Sequence, residues 1–293
     1  MFTAVLLTAP QPAAPLAPEM VTALRNAWGG SALRWLAPGE AVEFDMPDIP
    51  GNRWDVWADV QTQGVDLIVL PTEGRRKKML LADMDSTMIQ QECIDELADE
   101  AGVGARVKDI TARAMNGELD FEGALRERVG LLKGLDATVI QRVLETRITY
   151  MPGGEALLAT MKANGGHAAL VSGGFTAFTA KVSEALGFDE NRANTLLIEE
   201  GVLTGEVGMP ILGKQAKVDA LEEITARIGI AEADVIAVGD GANDLGMLGR
   251  AGLGVALHAK PSVAAECDVR VNFGDLTALL YVQGYGREAF VAG

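Results

Sequence analysis

Two cysteines, Cys93 and Cys267, are all that this 293-residue chain contains. They are too few and too scattered for a disulfide framework or a thiolate metal site, so a reducing compartment, the cytoplasm, is expected. Positive charge is also scarce: 25 Lys and Arg against 41 Asp and Glu leave a net charge of −16. Such a field repels nucleic-acid phosphates and anionic lipid headgroups, and neither is expected as a partner. The two histidines, His167 and His258, lie beside separate apolar segments and read as structural. Long unbroken hydrophobic runs are missing too. The uncharged stretch 1–18 is interrupted by Pro10, Pro12, Pro15 and Pro18, and the stretch 163–180 by Gly165, Gly166, Gly173 and Gly174. No Lys or Arg precedes Arg25, and the apolar run Phe2–Leu7 is too short for a secretory core, so no leader is expected.

What is present belongs to a folded protein. Hydrophobic residues make up 48% and charged residues 23%, enough apolar side chains for a sizeable core. All four tryptophans (Trp28, Trp35, Trp54, Trp57) and eight of the eleven prolines precede residue 72. This break separates a small α+β domain, 1–72, from the remainder, 73–293. Within the first part, Ala4–Thr8 and Asp66–Leu70 read as strands and Met20–Trp28 as a helix. The basic run Arg75-Arg76-Lys77-Lys78 reads as a solvated turn at the junction.

From Lys78 onward, short apolar runs (Met79–Ala82, Ala168–Val171, Val235–Val238, Leu253–Ala256, Val269–Val271) alternate with helical patterns (Glu155–Asn164, Phe175–Leu186, Lys217–Ile228, Asp244–Ala251). Continuous apolar strands between helices predict a doubly wound, Rossmann-like parallel sheet of the α/β class. In such sheets ligands gather at the carboxyl ends of strands. One interval breaks the rhythm. Ile94/Leu97/Ala98/Ala101, Val107/Ile110/Ala114, Phe121/Leu125/Val129/Leu132 and Val139/Ile140/Val143/Leu144 mark four amphipathic helices. They form an inserted helical cap at about 89–150, beginning just past the first strand, where a lid could cover a site.

Chemistry-bearing residues sit where the strands end. Asp83-Met84-Asp85-Ser86-Thr87 follows the first strand, and its two acids, two apart, leave the chain on the same side. Taken alone, this is a turn of solvated carboxylates with Ser86 and Thr87 capping a helix. A second strand ends in Gly239-Asp240-Gly241-Ala242-Asn243-Asp244. Four carboxylates directed at one sheet edge repel unless a hard cation sits among them, and an all-oxygen set suits Mg²⁺. A third strand runs into Ser172-Gly173-Gly174-Phe175-Thr176, where a hydroxyl and backbone N–H groups before a helix suit an anion. Lys217, opening the helix after Gly213-Lys214-Gln215-Ala216, is a candidate cation, with Lys214 its competitor. A phosphate is the anion these parts would serve: Asp83 could attack phosphorus while Asp85 protonates the leaving oxygen and later deprotonates water. Cys93 reads as a packed helix residue.

In order and spacing, Asp-Met-Asp-Ser-Thr, Ser-Gly-Gly-Phe-Thr, Lys217 and Gly-Asp-Gly-Ala-Asn-Asp resemble the four motifs of the haloacid dehalogenase-like phosphohydrolases. Glu92-Cys-Ile-Asp-Glu-Leu-Ala98, Met115-Asn-Gly-Glu-Leu-Asp-Phe121 and Leu125-Arg-Glu-Arg-Val-Gly-Leu-Leu-Lys-Gly134 resemble, within that superfamily, the cap of the phosphoserine phosphatases. The likeness runs from about 78 to 285. It implies hydrolysis of O-phospho-L-serine to L-serine and phosphate through an aspartyl-phosphate, the last step of serine biosynthesis. It implies Asp83 as nucleophile, Asp85 as acid and base, and Mg²⁺ held by Asp83, the Asp85 carbonyl and Asp240, with Asp244 in support. It also implies Ser172, the Gly173 amide and Lys217 on the phosphate, Glu92 on the substrate ammonium, Arg128 on its carboxylate, Asn243 orienting the group, and Met115 and Phe121 closing the lid. Arg126, two residues from Arg128 on another helical face, is expected to point elsewhere. The N-terminal segment resembles the extra domain, ACT-like in some cases, of bacterial enzymes of this type; regulation, homodimerisation and simple packing stay open as its role. Two other readings of the same residues remain: transfer of the phosphoryl group to an alcohol other than water, and a receiver-type phospho-aspartate switch without enzymatic turnover.

Overall fold

The computed structural model describes residues 1–11, 15–115 and 118–292, apart from the Met115 side chain. In chain order, the first elements are β1 (Phe2–Leu7), α1 (Pro18–Ala27), β2 (Arg34–Ala37), β3 (Ala41–Met46), α2 (Arg53–Gln61) and β4 (Asp66–Pro71). Then come β5 (Met79–Ala82), α3 (Cys93–Glu100), α4 (Gly104–Met115), α5 (Phe121–Gly130) and α6 (Thr138–Thr146). They are followed by α7 (Gly154–Ala163), β6 (His167–Phe175), α8 (Thr176–Leu186), β7 (Glu190–Asn194), β8 (Leu196–Glu199), β9 (Val202–Val207) and α9 (Lys214–Ile228). The chain closes with β10 (Val235–Gly239), α10 (Leu245–Arg250), β11 (Leu253–Leu257), α11 (Pro261–Ala264), β12 (Val269–Val271) and α12 (Ala278–Val282). No helix among the described residues is long and apolar enough to cross a membrane.

The α/β sheet has the order β12-β11-β10-β5-β6-β7, and β10/β11, β11/β12 and β6/β7 pair in parallel. The chain enters at β5, proceeds through β6 to β7, and returns to lay β10, β11 and β12 on the opposite side of β5. Strand order therefore reverses beside β5, the switch point where open α/β sheets hold ligands outside their carboxyl ends. β5 and β10 are fully buried, as the unbroken apolar runs require of strands covered on both faces. The four helices of the insertion, α3 to α6, lie where amphipathic periodicity predicts them.

By its contacts the chain forms two compact units, residues 1–81 with 152–168 and 221–293, and residues 82–151 with 169–220. The first contains an antiparallel sheet of order β2-β3-β1-β4. Its core joins Ala4, Leu6, Val42, Phe44, Leu67 and Val69 to Val21 and Leu24 of α1. Sequence patterning misses β2, β3 and α2. β3 reads Ala-Val-Glu-Phe-Asp-Met, and its Glu43 is buried.

The partner of Glu43 corrects another expectation, because Arg75 is not in a solvated turn. Its guanidinium is 7% exposed, pairs with Glu43 at 2.7 Å and donates to the Val282 and Tyr281 carbonyls. Arg76 lies over the Tyr285 ring. A buried charge of this kind persists only where its hydrogen bonds are met. The same unit buries Asp66, which accepts from the backbone N–H groups of Asn272, Phe273 and Gly274 at 2.9–3.0 Å. Desolvation nonetheless pushes the Asp66 carboxyl above the usual range. Trp54 and Trp57 both lie under the Arg270 guanidinium. His258 bonds the Gly274 carbonyl, consistent with a structural role.

In the second unit, β8 and β9 form an antiparallel hairpin that patterning does not reveal, since Glu199, Glu200 and Gly201 interrupt its apolar residues. β6 runs on through Phe175, so α8 starts at Thr176. α9 starts at Lys214, which places Lys217 one turn inside the helix and not at its opening.

Candidate active site

Four buried or half-buried polar side chains meet where β5 and β6 end. Asp83, the first residue after β5, is 6% exposed and receives the Lys217 ammonium at 2.6 Å. Lys217 itself is 1% exposed, whereas Lys214 is in solvent. A lysine buried to this degree needs an anionic partner, and the burial decides between the two candidates. Asp85 is gripped on both oxygens: the Cys93 amide donates to Oδ1 at 2.9 Å and the Ser172 hydroxyl to Oδ2 at 3.3 Å. Ser172 Oγ in turn accepts the Gly174 amide at 2.8 Å. Gly174 is forced by this crowding, because a Cβ there would stand 2.6 Å from Asp85 Oδ2.

Burial pushes the Asp85 carboxyl up to about 6, and the negative charge of Glu92 adds to the effect; the Cys93 donors and Lys217 oppose it. Such a carboxyl exchanges its proton far nearer neutrality than a free one. The Cys93 thiol is raised in its turn, chiefly by burial and then by Asp85, which favours its protonated form. Cys93 is packed, as expected, yet its amide also holds Asp85.

The Gly239–Asp244 turn supplies two further acids. Asp244 is fully buried and accepts the Gly241 amide at 2.9 Å; a Cβ on Gly239 would strike its carboxylate at 2.4 Å. Asn243 is half-buried. Asp83, Asp240 and Asp244 each offer a carboxylate oxygen, all within 4.8 Å of one another. At an effective dielectric of about 20, each such pair of charges costs roughly 3 to 4 kcal/mol. An oxygen-only set under that repulsion fits a hard divalent cation.

The helical insertion brings three of its predicted residues to this neighbourhood. Glu92 immediately precedes α3, and its Oε1 accepts the Ser86 hydroxyl at 2.8 Å. Arg128 of α5 is half-buried; desolvation lowers its affinity for the proton while Asp95, Glu92 and Asp85 restore it, in that order. Arg126 is exposed and reaches Met209 Sδ, as its different helical face predicts. Phe121, at the start of α5, lies against two glycine loops: a Cβ on Gly173 or Gly213 would come 3.3 Å from its ring. The Met115 side chain lies outside the described residues.

Two supporting residues escape sequence reasoning. Asn194 donates to the carbonyls of Gly173 and Leu212 and accepts the Leu212 amide, tying the Ser172 loop to the segment before α9. Asp95 faces Arg128. Asn194 sits in no recognisable motif; Asp95 lies within the Glu92–Ala98 segment, but its part there is hinted at only by its i, i+3 spacing from Glu92 at the start of α3.

Residues 80–249 match the model of the haloacid dehalogenase-like hydrolase family. This chain belongs to that family. Among curated relatives, the phosphoserine phosphatase of Streptomyces coelicolor is 42% identical over 256 residues, which cover 86% of this chain and 62% of the relative's length. The chain thus spans less than two thirds of that relative. Among solved structures, a haloacid dehalogenase family hydrolase of Salmonella enterica serovar Typhi superposes with a TM-score of 0.86 at 30% identity, covering 96% of this chain and 98% of the other. A phospho-aspartyl intermediate analogue of phosphoserine phosphatase superposes with a TM-score of 0.66 at 43% identity, covering 70% of this chain and 98% of that one. The near-complete overlap with the Salmonella hydrolase extends the shared fold to the N-terminal sheet of this family member.

Proposed function

We propose that this hydrolase is a phosphoserine phosphatase, converting O-phospho-L-serine and water to L-serine and phosphate as the closing step of serine biosynthesis. One observation carries the reading: a buried Asp83–Lys217 pair and a raised Asp85 carboxyl stand beside the opposite charges of Glu92 and Arg128, groups that match a phosphate, a leaving oxygen, an ammonium and a carboxylate. Likeness to the Streptomyces enzyme and to the phospho-aspartyl structure supports it.

In this mechanism Asp83 attacks phosphorus and becomes the aspartyl-phosphate, while Asp85 gives its proton to the departing serine oxygen. Asp85 then takes a proton from water, whose oxygen attacks phosphorus and releases Asp83 and phosphate. Lys217, the Ser172 hydroxyl and the Gly173 amide bind the phosphoryl oxygens, and Asn243 orients them. Glu92 and Arg128 bind the amino-acid end, and Phe121 and Met115 exclude water from the apolar side. Asp83, Asp240 and the Asp85 carbonyl would hold Mg²⁺ with support from Asp244, and the cation would supply positive charge to offset that of carboxylates and phosphate. We assign residues 1–72 to an accessory domain and 73–293 to the phosphatase domain. Cytoplasmic location, a homodimer, and absence of nucleic-acid and membrane partners remain part of this proposal.

Phosphate release from a panel of phosphorylated metabolites, with Mg²⁺ and with excess chelator, tests the reading. O-phospho-L-serine should exceed the other monoesters in kcat/KM, and activity should vanish with chelator. A different preferred substrate overturns the assignment, and full chelator-resistant activity overturns the metal. Product analysis with added alcohols separates hydrolysis from phosphotransfer.

A further inference from the structure

Ser86 is the one site-loop residue other than glycine with positive φ, at +55°. For a residue with a Cβ this conformation costs roughly 1 kcal/mol and persists only where neighbours over-determine it. Here they do. The Ser86 amide donates to the Gln91 carbonyl, and the amides of Thr87, Met88 and Ile89 all converge on the Met84 carbonyl. Gln91 is pinned in turn, exchanging hydrogen bonds with Thr149 through both ends of its side-chain amide. Ser86 does not cap a helix, because α3 begins only at Cys93. Its hydroxyl instead meets Glu92 Oε1 at 2.8 Å. Glu92 occupies the N-cap position of α3, where its backbone carbonyl accepts the Asp95 and Glu96 amides but its side chain bonds no amide of that helix. Its carboxylate is held instead by Ser86, close enough to Asp85 and Arg128 for its charge to act on both.

We infer that Ser86 is a positioning residue for substrate selection: its strained backbone aims the hydroxyl at one oxygen of Glu92 and so orients the other toward a primary ammonium group. The inference rests on the reading of Glu92 as the ammonium-binding group. A carboxylate left to rotate on a three-bond stem loses rotamer entropy each time it binds a cation, whereas one held in advance has already lost it. Ser86 touches no reacting atom in this scheme. It should govern binding of the amine and leave the chemistry at phosphorus unaffected.

The experiment compares kcat and KM for O-phospho-L-serine and for its amine-free counterpart, 3-(phosphonooxy)propanoate, in the full-length wild type, Ser86→Ala and Ser86→Gly. The two variants lose the same hydroxyl but differ in backbone: alanine retains the strain and glycine relieves it. KM for phosphoserine should rise about tenfold in both, the loss of one hydrogen bond to a charged group, with kcat and the constants for the amine-free ester within about twofold of wild type. If both variants keep the wild-type ratio between the two substrates, Ser86 does not position Glu92. If only Ser86→Ala loses it, the backbone matters and the hydroxyl does not, which also overturns the inference. If wild type itself fails to prefer phosphoserine over the amine-free ester, the functional reading fails first. Should Ser86→Ala fold poorly, Ser86→Gly carries the test alone.

Discussion

Two regions of the molecule bury ionised groups, and they do so with opposite results. Around Arg75 the polar groups are matched: its guanidinium meets the Glu43 carboxylate and two carbonyls, and nearby Asp66 takes three backbone N–H groups. Around Asp83 carboxylates gather within 4.8 Å of one another. Lys217 answers Asp83, but Asp240 and Asp244 crowd the same oxygens and Glu92 adds its charge to Asp85. Matched burial serves cohesion; mismatched burial leaves a deficit that a cation and a substrate can fill. A third case is half-buried, where Arg147 pairs with Glu96 and Glu100 at a site that water still reaches and screens.

Substitutions should separate these cases. The largest effect belongs to Asp83→Asn, which removes a nucleophile at constant shape: turnover per folded molecule should fall by at least about a thousandfold, the comparison being made on folded protein because the change also takes the anionic partner from buried Lys217. Substantial remaining phosphate release, or phosphoenzyme trapped after acid quench, would contradict it. Next is Arg128→Ala. It should reduce kcat/KM on phosphoserine by roughly a hundredfold, as expected for a lost charge-assisted contact, and on a monoester without a carboxylate by much less; equal losses would give Arg128 a structural role.

Arg75→Ala reverses the pattern. By removing one of the two guanidinium partners of buried Glu43, the other being Arg34, it should cost about 1 to 3 kcal/mol in denaturant unfolding, with turnover per folded molecule unchanged. A cost below about 1 kcal/mol would mean that Arg34 alone satisfies Glu43. The smallest effect is reserved for Arg147→Ala, whose unfolding midpoint should be indistinguishable from that of wild type. A clear shift there would show that solvent-facing pairs matter to this fold after all.

Much of this contrast was legible before any coordinates. β5 and β10 match their apolar runs because a strand covered on both faces has no polar alternative, and α3 to α6 follow their periodicity for the same reason on one face. Asp83 and Lys217 were within reach because their order along the chain accompanies two other motifs. Illegible were β3, whose Glu43 reads as a surface residue, and Arg75, whose neighbours Arg76, Lys77 and Lys78 suggest solvent. Each finds a charged partner in the other, and no local pattern encodes a partner 32 residues away.

Sequence by itself determined most strands and helices of the α/β sheet, the helical insertion and the set of acids, since hydrophobic period and residue chemistry are local properties of the chain. Tertiary structure alone decided which charges are matched. It chose Lys217 over Lys214 by burying it on Asp83, joined Arg75 to Glu43, and turned Ser86 from an apparent helix cap into a support for Glu92. The reason is physical: the energy of a charge depends on its solvent and on neighbours brought in from distant positions, and only folding sets both.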